Sequence, residues 1–489
     1  MGRISLRTIV RKSLWIIVPV LFVMAQSVAL KAEIVLPNVL GDNMVLQQQT
    51  EVELWGSARA NGRVRVEVPW QRQKIETTAD AAGQWSVKVK TPEAGGPYEI
   101  SIADADGKRI LKNVLLGEVW LCSGQSNMEM PMRGFVSQPV RGGNDVIAAA
   151  KKSVPIRMFS ADYNIDGIKE YKYSEVEQTD VKGEWWENEP AAVASTSAAA
   201  YYFAKNLQEY LDVPVGLIVT SLGGSKIEPW MSRECAMQFP EIKLDDLSGR
   251  PIFTPIVLYN AKIAPFVRYA LRGFLWYQGE SNRGDAEHYA TYFAAMVNDW
   301  RARWGGEEKP FYAVEIAPYN YENAEDTSAA VIREAQLRGV KMLRHSGLVS
   351  TIDIGNRTCI HPQYKDVVGM RLAQMAFADT YGGRGFISRS LEFMEMVVNG
   401  NKAVLKFDYA PHGLSPLFDP LEGFEVAGSD RKFVKASARV IAGRWNEVEV
   451  WSDEVPEPVA VRYCFKDFTT GNVTEPGGWP LLPFRTDSY

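Results

Sequence analysis

The segment Trp120-Leu-Cys-Ser-Gly-Gln-Ser-Asn-Met128 includes the end of a strongly apolar run, Val114–Cys122, and marks the point at which a predicted strand stops. Gly124 can adopt a positive φ that a side chain resists, so a tight turn is expected there. Such a turn leaves the Ser126 hydroxyl facing outward at the mouth of a sheet. The pattern differs from G-x-S-x-G because Met128 stands two residues after the serine. A hydroxyl that only caps a helix is the alternative interpretation.

The region from about Val114 to Gly385 alternates apolar strands with helical patterns, which predicts an α/β fold with a parallel sheet flanked by helices. The predicted strands are Val213–Leu222, Leu271–Tyr277, Pro310–Ile316 and Ser346–Ile354, and the predicted helices lie around Ala198–Leu211, Ala286–Trp304 and Pro362–Tyr381. Ligands of such sheets bind beyond the carboxyl ends of the strands. Polar clusters follow the strands there, at Gly124–Asn127, Gly223-Gly224, Gln278–Asn282 and His361.

Short segments of alternating polarity lie on both sides of this region and predict two all-β modules. The first contains Glu51–Trp55, Arg63–Val68, Trp85–Lys90 and Tyr98–Ile102, and the second contains Ala403–Phe407, Lys432–Ala436, Glu447–Trp451 and Val459–Tyr463. We therefore expect an N-terminal β-sandwich at residues 33–113, a central domain at 114–390 and a C-terminal β module with a tail at 391–489.

The first 32 residues are typical of a secretory signal peptide. Basic residues precede an apolar run, Leu14–Met24, and small residues follow at Ser27, Ala29 and Ala32, so cleavage after either alanine is acceptable. The run is short for a membrane span. We expect an exported protein, periplasmic or extracellular, whose mature form does not span a membrane.

The composition argues against several classes of function. The net charge is −5, and no basic block or zinc-type spacing of Cys and His is present, so nucleic-acid binding and structural zinc are disfavoured. No metal or organic cofactor is implied, and the sequence nominates no protein partner. The four cysteines allow three full pairings, and free buried thiols are the simpler interpretation.

Several motifs in order resemble the sialate O-acetylesterase family, a branch of the SGNH (GDSL-like) hydrolases. They are Gly117–Met128, Ser221-Leu-Gly-Gly-Ser-Lys-Ile-Glu-Pro-Trp230, Trp276-Tyr-Gln-Gly-Glu-Ser-Asn282 and Ile360-His-Pro362, with further similarity at Gly423–Gly428, Val461–Tyr463 and Pro483–Asp487. The similarity spans nearly the whole mature chain. It implies a flavodoxin-like SGNH sheet in the central domain and a hydrolase of acetyl esters on carbohydrates, with O-acetylated sialic acid as the first candidate substrate.

Ester hydrolysis requires a nucleophile, a base and donors for the oxyanion. Ser126 is the candidate nucleophile, which would form an acetyl-enzyme. The backbone N–H of Ser126, an N–H of Gly223 or Gly224, and the Asn282 amide are the candidate oxyanion donors that the family pattern implies. A plain left-handed turn is the alternative role for the two glycines.

His361 is the candidate general base, because it stands before Pro362 at a strand-to-helix junction near the crevice. Helix capping is its alternative role. The other three histidines, His288, His345 and His412, lie in segments where a structural or solvated role is simpler.

The acid that would orient His361 departs from the family pattern. Family members commonly carry aspartate two residues before the histidine, and SGNH hydrolases at large carry it three before, but Cys359 and Thr358 stand there in this chain. A Ser-His dyad oriented by a backbone carbonyl is our first hypothesis. Asp353 is the second, as a possible third member, and Glu280 is a further candidate.

Polar side chains near the nucleophile form the candidate substrate-binding set, which is Gln125, Gln278, Glu280 and Arg283. Support of the catalytic residues is the alternative role for these side chains. Aromatic faces are expected from Trp230, Trp276 and Tyr277, and a sialate carboxylate would require a cation such as Arg283, Lys226 or Arg133. Two rival functions remain open. One is an esterase for acetylated xylan or another plant polysaccharide, and the other is a glycan-binding protein without catalysis.

Overall fold

The computed structural model describes residues 33–161 and 173–489. The expected signal peptide therefore lies outside the described residues. Every helix in the described ranges is too short or too polar to span a bilayer.

The described chain contains strands β1–β21 and helices α1–α9. The strands are β1 Val45–Gln47, β2 Glu51–Ser57, β3 Arg63–Glu67, β4 Ile75–Thr78, β5 Gln84–Lys90, β6 Gly95–Ala103, β7 Lys108–Gly124, β8 Ile156–Ser160, β9 Trp185–Glu187, β10 Val215–Ser221, β11 Gly273–Tyr277, β12 Phe311–Val314, β13 Ser346–Val349, β14 Glu392–Asn399, β15 Lys402–Asp408, β16 Phe424–Ala427, β17 Val434–Lys435, β18 Ser437–Ile441, β19 Arg444–Trp451, β20 Ala460–Tyr463 and β21 Phe484–Arg485. The helices are α1 Ser126–Glu129, α2 Gly143–Ala149, α3 Pro190–Ser195, α4 Ala198–Leu211, α5 Arg233–Ala236, α6 Val257–Lys262, α7 Ala286–Arg303, α8 Ser328–Lys341 and α9 Lys365–Asp379.

The central sheet has the strand order β13-β12-β11-β7-β10-β8-β9, and all of its pairs are parallel except β8 with β9. Alternate residues of β11 serve opposite faces, as the period of a strand requires. Phe274 and Trp276 both pack against Trp300 of α7, whereas Leu275 and Tyr277 join the cluster formed with α4 and α9. The expected α/β class, with a largely parallel sheet between helices, is confirmed.

Strand β7 links the first β module to the central sheet. Its first half pairs antiparallel with β6 and its middle pairs with β1, while its second half lies between β10 and β11. The boundary expected between residues 113 and 114 falls inside this strand, so the two units share one backbone ladder. The domain bounds themselves stay a prediction.

The C-terminal region forms two four-stranded antiparallel sheets, in the orders β14-β15-β19-β18 and β17-β16-β20-β21. Their shared core includes Leu405, Val448 and Tyr463, and it reaches Ile352 of the central region. Asp467 fixes this module to α8, because its carboxylate accepts from the Ser328 hydroxyl at 2.9 Å and the Ala329 N–H at 2.6 Å. The separate all-β sheets expected from the sequence are confirmed.

One long helix, α8, was not predicted from the sequence. Its buried face is made of residues such as Ala329, Arg333 and Gln336, so the stripe of large apolar residues that indicates a helix is weak there.

The turn after β7 depends on Gly124, whose φ is +134° and whose added Cβ would lie 2.2 Å from the Tyr277 carbonyl oxygen. We expect Gly124→Ala to lower the free energy of unfolding by about 3 kcal/mol, because it combines backbone strain with a backbone clash. Denaturant unfolding measures this change. Gly107→Ala is the matched control, since nothing lies within 4 Å of the Cβ position there. Equal effects of the two variants would contradict the role of Gly124.

Candidate active site

Ser126 begins α1 directly beyond the carboxyl end of β7. The neighbouring strands fix the turn before it, because the Gln125 N–H donates to the Tyr277 carbonyl at 2.9 Å and the Leu222 N–H donates to the Gly124 carbonyl at 3.0 Å. The serine therefore stands at the edge where parallel α/β sheets bind ligands.

His361 lies on the segment between β13 and α9, and its Nε2 is 2.8 Å from the Ser126 Oγ. A neutral imidazole that accepts the serine proton at Nε2 must carry its own proton at Nδ1. The structure thus brings together the two residues that the sequence nominated as nucleophile and base. The other histidines lie elsewhere: His288 contacts Asp285 at 2.6 Å, the His345 ring is 3.9 Å from a Glu308 oxygen, and His412 is exposed.

Gln138 orients the histidine in this structure, and sequence reasoning missed it. The acceptor at His361 Nδ1 is this side-chain amide and not the backbone carbonyl of the first hypothesis. Its side-chain Oε1 lies 2.5 Å from His361 Nδ1, where it accepts the Nδ1 proton. The loop that carries Gln138 is well anchored. Phe135 and Gln138 exchange backbone hydrogen bonds of 3.0 Å, and the Arg141 N–H donates to the Gln363 carbonyl at 2.9 Å. An amide at this position holds the tautomer without adding a negative charge.

Asp353 does not orient His361, so that hypothesis is corrected. Its carboxylate forms a bidentate ion pair with Arg371, at 2.8 and 2.6 Å, because a buried guanidinium requires a carboxylate partner. Glu280 instead accepts from the Asn127 amide at 2.6 Å. The Cys359 thiol lies beside the orienting group, with Sγ 3.7 Å from Gln138 Oε1 and 3.2 Å from the His361 carbonyl.

All four cysteines lie in the described ranges and are free thiols. Across those ranges, no set of three or more His, Cys, Asp or Glu side chains is arranged to hold a metal ion.

The environment of His361 lowers its pKa to about 4. Burial is the largest cause, since it disfavours the charged ring, and the ammonium of Lys365 acts in the same direction. Glu129 opposes both by attracting the charged form. The imidazole is therefore neutral and ready to accept a proton at pH 7.

Gly223 lies next to Ser126, since a Cβ added at Gly223 would be 3.3 Å from the Ser126 Cβ. Its N–H donates to the carboxylate of Glu129, so an anionic oxygen occupies this donor. Gly224 has a φ of +74°, which fits the left-handed turn given as its alternative role.

Asn282 is buried and supports the neighbouring loop. Its Oδ1 accepts from the Ile227 N–H at 3.0 Å and from Gln278, while its Nδ2 donates to Glu228 at 3.0 Å. Its role as an oxyanion donor stays a prediction.

The side chains expected to bind substrate are mostly committed to the protein. Gln125 accepts from the Gly279 N–H at 3.1 Å, and the fully buried Gln278 bonds Ser225, Asn282 and Tyr289. Arg283 pairs with Glu322 at 3.1 Å and lies 3.6 Å above the Tyr321 ring. In this arrangement the side chains of Gln125, Gln278 and Arg283 bond other protein groups and support the site.

The expected aromatic faces are also buried, which corrects the prediction. Trp230, Trp276 and Tyr277 have no exposed surface, because these large apolar rings fill the core beneath the strand ends. Phe135 contacts the His361 ring instead, at 5.2 Å between centroids, and the adjacent Val136 is 92% exposed. Both belong to the loop that carries Gln138.

A family model described as carbohydrate esterase, sialic acid-specific acetylesterase, matches residues 116–378. The chain belongs to this family. Sialate O-acetylesterase of Mus musculus is 28% identical over 407 residues, which cover 71% of this chain and 73% of the mouse protein. The Homo sapiens protein of the same name is 26% identical over 379 residues, 71% of each chain.

A solved structure agrees with this membership. A carbohydrate acetylesterase from Xanthomonas citri is 33% identical and matches with a TM-score of 0.84, over 94% of this chain and 100% of that chain. The resemblance identified from the sequence motifs is therefore confirmed, and the family supports an esterase that acts on acetylated carbohydrate.

Replacement of Gln138 tests its role in orienting His361. Gln138→Ala should lower kcat about tenfold to a hundredfold with little change in KM, because the tautomer loses its acceptor. Steady-state hydrolysis of an aryl acetate measures both constants. Gln138→Glu is the matched variant, and its carboxylate should retain kcat. Asp353→Asn should leave kcat near the parent value in folded protein. A severe loss in Asp353→Asn with a normal Gln138→Ala would contradict this assignment.

The pH profile tests the environment of His361. Catalysis requires the neutral ring, so kcat/KM should fall only as the pH drops through the lowered pKa of about 4. Activity should persist well below the ordinary histidine value of 6.5. A profile of kcat/KM from acid to neutral pH shows the position of the limb. An acid limb centred at the ordinary histidine pKa would show that burial and Lys365 do not lower the pKa of His361.

Proposed function

We propose that the protein is an exported carbohydrate O-acetylesterase of the SGNH type, which cleaves acetyl esters through an acetyl-enzyme on Ser126. The observation that carries the proposal is the contact of 2.8 Å between Ser126 Oγ and His361 Nε2. Membership of the carbohydrate esterase family supports the reaction class. Export rests on the first 32 residues, and a periplasmic or extracellular location is part of the proposal.

Acylation begins with transfer of the Ser126 proton to His361 Nε2 as Oγ attacks the acetyl carbonyl carbon. The carbonyl oxygen becomes an oxyanion, for which the backbone N–H groups of Ser126 and Gly223 are the proposed donors. The Glu129 carboxylate on the Gly223 N–H supports this role, because it is an anionic oxygen on the same donor. Glu129 must leave that donor when an ester binds.

Collapse of the tetrahedral intermediate breaks the bond between the acetyl carbon and the sugar oxygen. His361 then returns the proton to that oxygen, and the sugar leaves as an alcohol. A water molecule then gives a proton to the same nitrogen and attacks the acetyl carbon. The bond between that carbon and Ser126 Oγ breaks, Oγ recovers the proton from His361, and acetate leaves. Gln138 holds the Nδ1 proton throughout both steps, so Nε2 always faces the reacting atoms.

O-acetylated sialic acid is the first candidate substrate, because relatives from Mus musculus and Homo sapiens carry the name sialate O-acetylesterase. Of the cations nominated for a sialate carboxylate, Arg133 donates to the Ser195 hydroxyl at 3.1 Å and Lys226 is 3.6 Å from Glu228.

Acetylated xylan or another plant polysaccharide is the second candidate, and the charge near the nucleophile favours it. Arg283, the third nominated cation, pairs with Glu322, while the carboxylate of Glu129 lies beside Ser126. A neutral acetylated sugar avoids repulsion from that carboxylate.

Replacement of the nucleophile tests the reaction, and a substrate panel tests the glycan. Ser126→Ala should fold normally and lose acetate release, because the methyl side chain of alanine has no oxygen with which to form the acetyl-enzyme. Acetate release from O-acetylated sialic acid and from acetylated xylan should differ for the parent protein, and the faster substrate identifies the glycan class. Near-normal turnover by folded Ser126→Ala would reject the mechanism. Inertness of the parent protein on every acetyl ester would favour the glycan-binding alternative.

A further inference from the structure

A buried polar cluster connects the two catalytic segments beneath the Ser126–His361 pair. Asn127 has no exposed surface, and its amide meets two elements at once. Its Nδ2 donates to Glu280 Oε1 at 2.6 Å and to the Ile360 carbonyl at 3.2 Å. Asn127 directly follows the nucleophile and Ile360 directly precedes the histidine, so this one amide spans from one catalytic segment to the other.

Lys365 completes the connection from the other side. It begins α9, has no exposed surface, and donates from Nζ to the Asn127 Oδ1 at 2.7 Å and to the Pro362 carbonyl at 2.9 Å. The ammonium also lies 5.7 Å from the centroid of the Tyr277 ring. Burial of an ammonium costs free energy unless hydrogen bonds and an opposite charge compensate it. Arrangements in which Lys365 keeps these hydrogen bonds are therefore strongly favoured over arrangements in which they are broken.

The cluster holds together the Ser126 and His361 segments, which are far apart along the chain. Ser126 and His361 are 235 positions apart in the sequence. The Ser126 hydroxyl and the His361 ring stay in contact only if the distance between the two loops is fixed. A displacement of about 1 Å at reacting groups can reduce the rate about a hundredfold. The hydrogen bonds of Asn127 and Lys365 fix that separation at the backbone carbonyls on either side of His361.

We propose that Lys365 and Asn127 are positioning residues that hold the Ser126 turn against the His361 segment. This inference rests on the proposed function, because it assigns the pair a role in the Ser126–His361 reaction. Neither side chain contacts the substrate. Both act through the hydrogen bonds to Ile360, Pro362 and each other.

Charge gives the same cluster a second measurable effect. The titratable groups that act on His361 are Lys365, which lowers its pKa, and Glu129, which raises it. Burial lowers the pKa of Lys365 to about 7, and the nearby Glu280 opposes that change. Burial in turn raises the pKa of Glu280. Removal of the Lys365 ammonium would therefore raise the pKa of His361 and move the acid limb of the rate to higher pH.

Lys365→Met tests the proposal, since methionine fills a similar volume without donors or charge. We expect kcat for an aryl acetate to fall about a hundredfold with KM changed less than about threefold, because positioning rather than binding is lost. The acid limb of kcat/KM should also shift upward. Asn127→Ala keeps the charge of Lys365, so it should lower kcat while the acid limb stays near the parent position.

Lys262→Met is the matched control, because Lys262 is an equally buried lysine in α6 and lies outside the cluster. It should retain the parent kcat and pH profile in the folded fraction, which circular dichroism and active-site titration quantify. Parent-like kcat and an unshifted limb in Lys365→Met would overturn the proposal. That result alongside an inactive Ser126→Ala would leave the proposed function standing, whereas an active Ser126→Ala would reject the proposed function itself.

Discussion

The backbone hydrogen bonds of β7 are the constraint on which the rest of the structure depends. Its early residues pair with β6 and β1, and its later residues pair with β10 over Glu118–Gly124 and with β11 over Trp120–Gly124. Ser126, the proposed nucleophile, therefore follows a strand that is paired on both sides up to its last residue. A parallel strand buried in this way cannot slip in register without moving its apolar side chains to the wrong face. The position of Ser126 is consequently set by the core and not by the loop that follows.

The group that accepts the His361 Nδ1 proton is a neutral amide, which differs from the carboxylate of a Ser-His-Asp triad. Gln138 supplies an amide oxygen to His361 Nδ1, and the side chain at position 359 is a thiol. A carboxylate would stabilise the imidazolium more strongly, but it would also raise the pKa of the ring. Here burial and Lys365 keep the ring neutral to low pH. The arrangement therefore favours the base form of the histidine in acidic surroundings.

Apolar periodicity in the sequence predicted most of the strands and helices of the central region. The positions of Ser126 and His361 after predicted strands indicated that these two residues lie close together. Helix α4 spans Ala198–Leu211, the stretch around which the sequence predicted a helix, and the Ser197 side chain caps its start by accepting from the Ala200 N–H. Ser126 and His361 could be paired because carboxyl ends of parallel strands meet at one edge. The family motifs then assigned the chemistry.

Contacts between distant segments could not be predicted in this way. Gln138 lies in a loop with no motif, and contacts of that loop with the His361 segment, such as the Arg141 N–H to the Gln363 carbonyl and the Phe135 ring against His361, bring its amide to the ring. Arg283 had the charge for a substrate carboxylate, but Glu322 and the fully buried Asp467 of the C-terminal module lie within ion-pair distance of it. Trp230 and Trp276 lie close to polar motifs in the sequence, yet the space beneath the strand ends is core and buries both rings.

The central claim is that Ser126, activated by His361, forms a covalent acetyl intermediate. Rapid acid quenching during turnover of an activated acetyl ester, followed by peptide mapping in a mass spectrometer, tests it most directly. We expect a gain of one acetyl group on the peptide that contains Ser126, and no such gain in His361→Gln. An acetyl group found on another residue, or rapid turnover with no acetylated peptide at any quench time, would contradict the account.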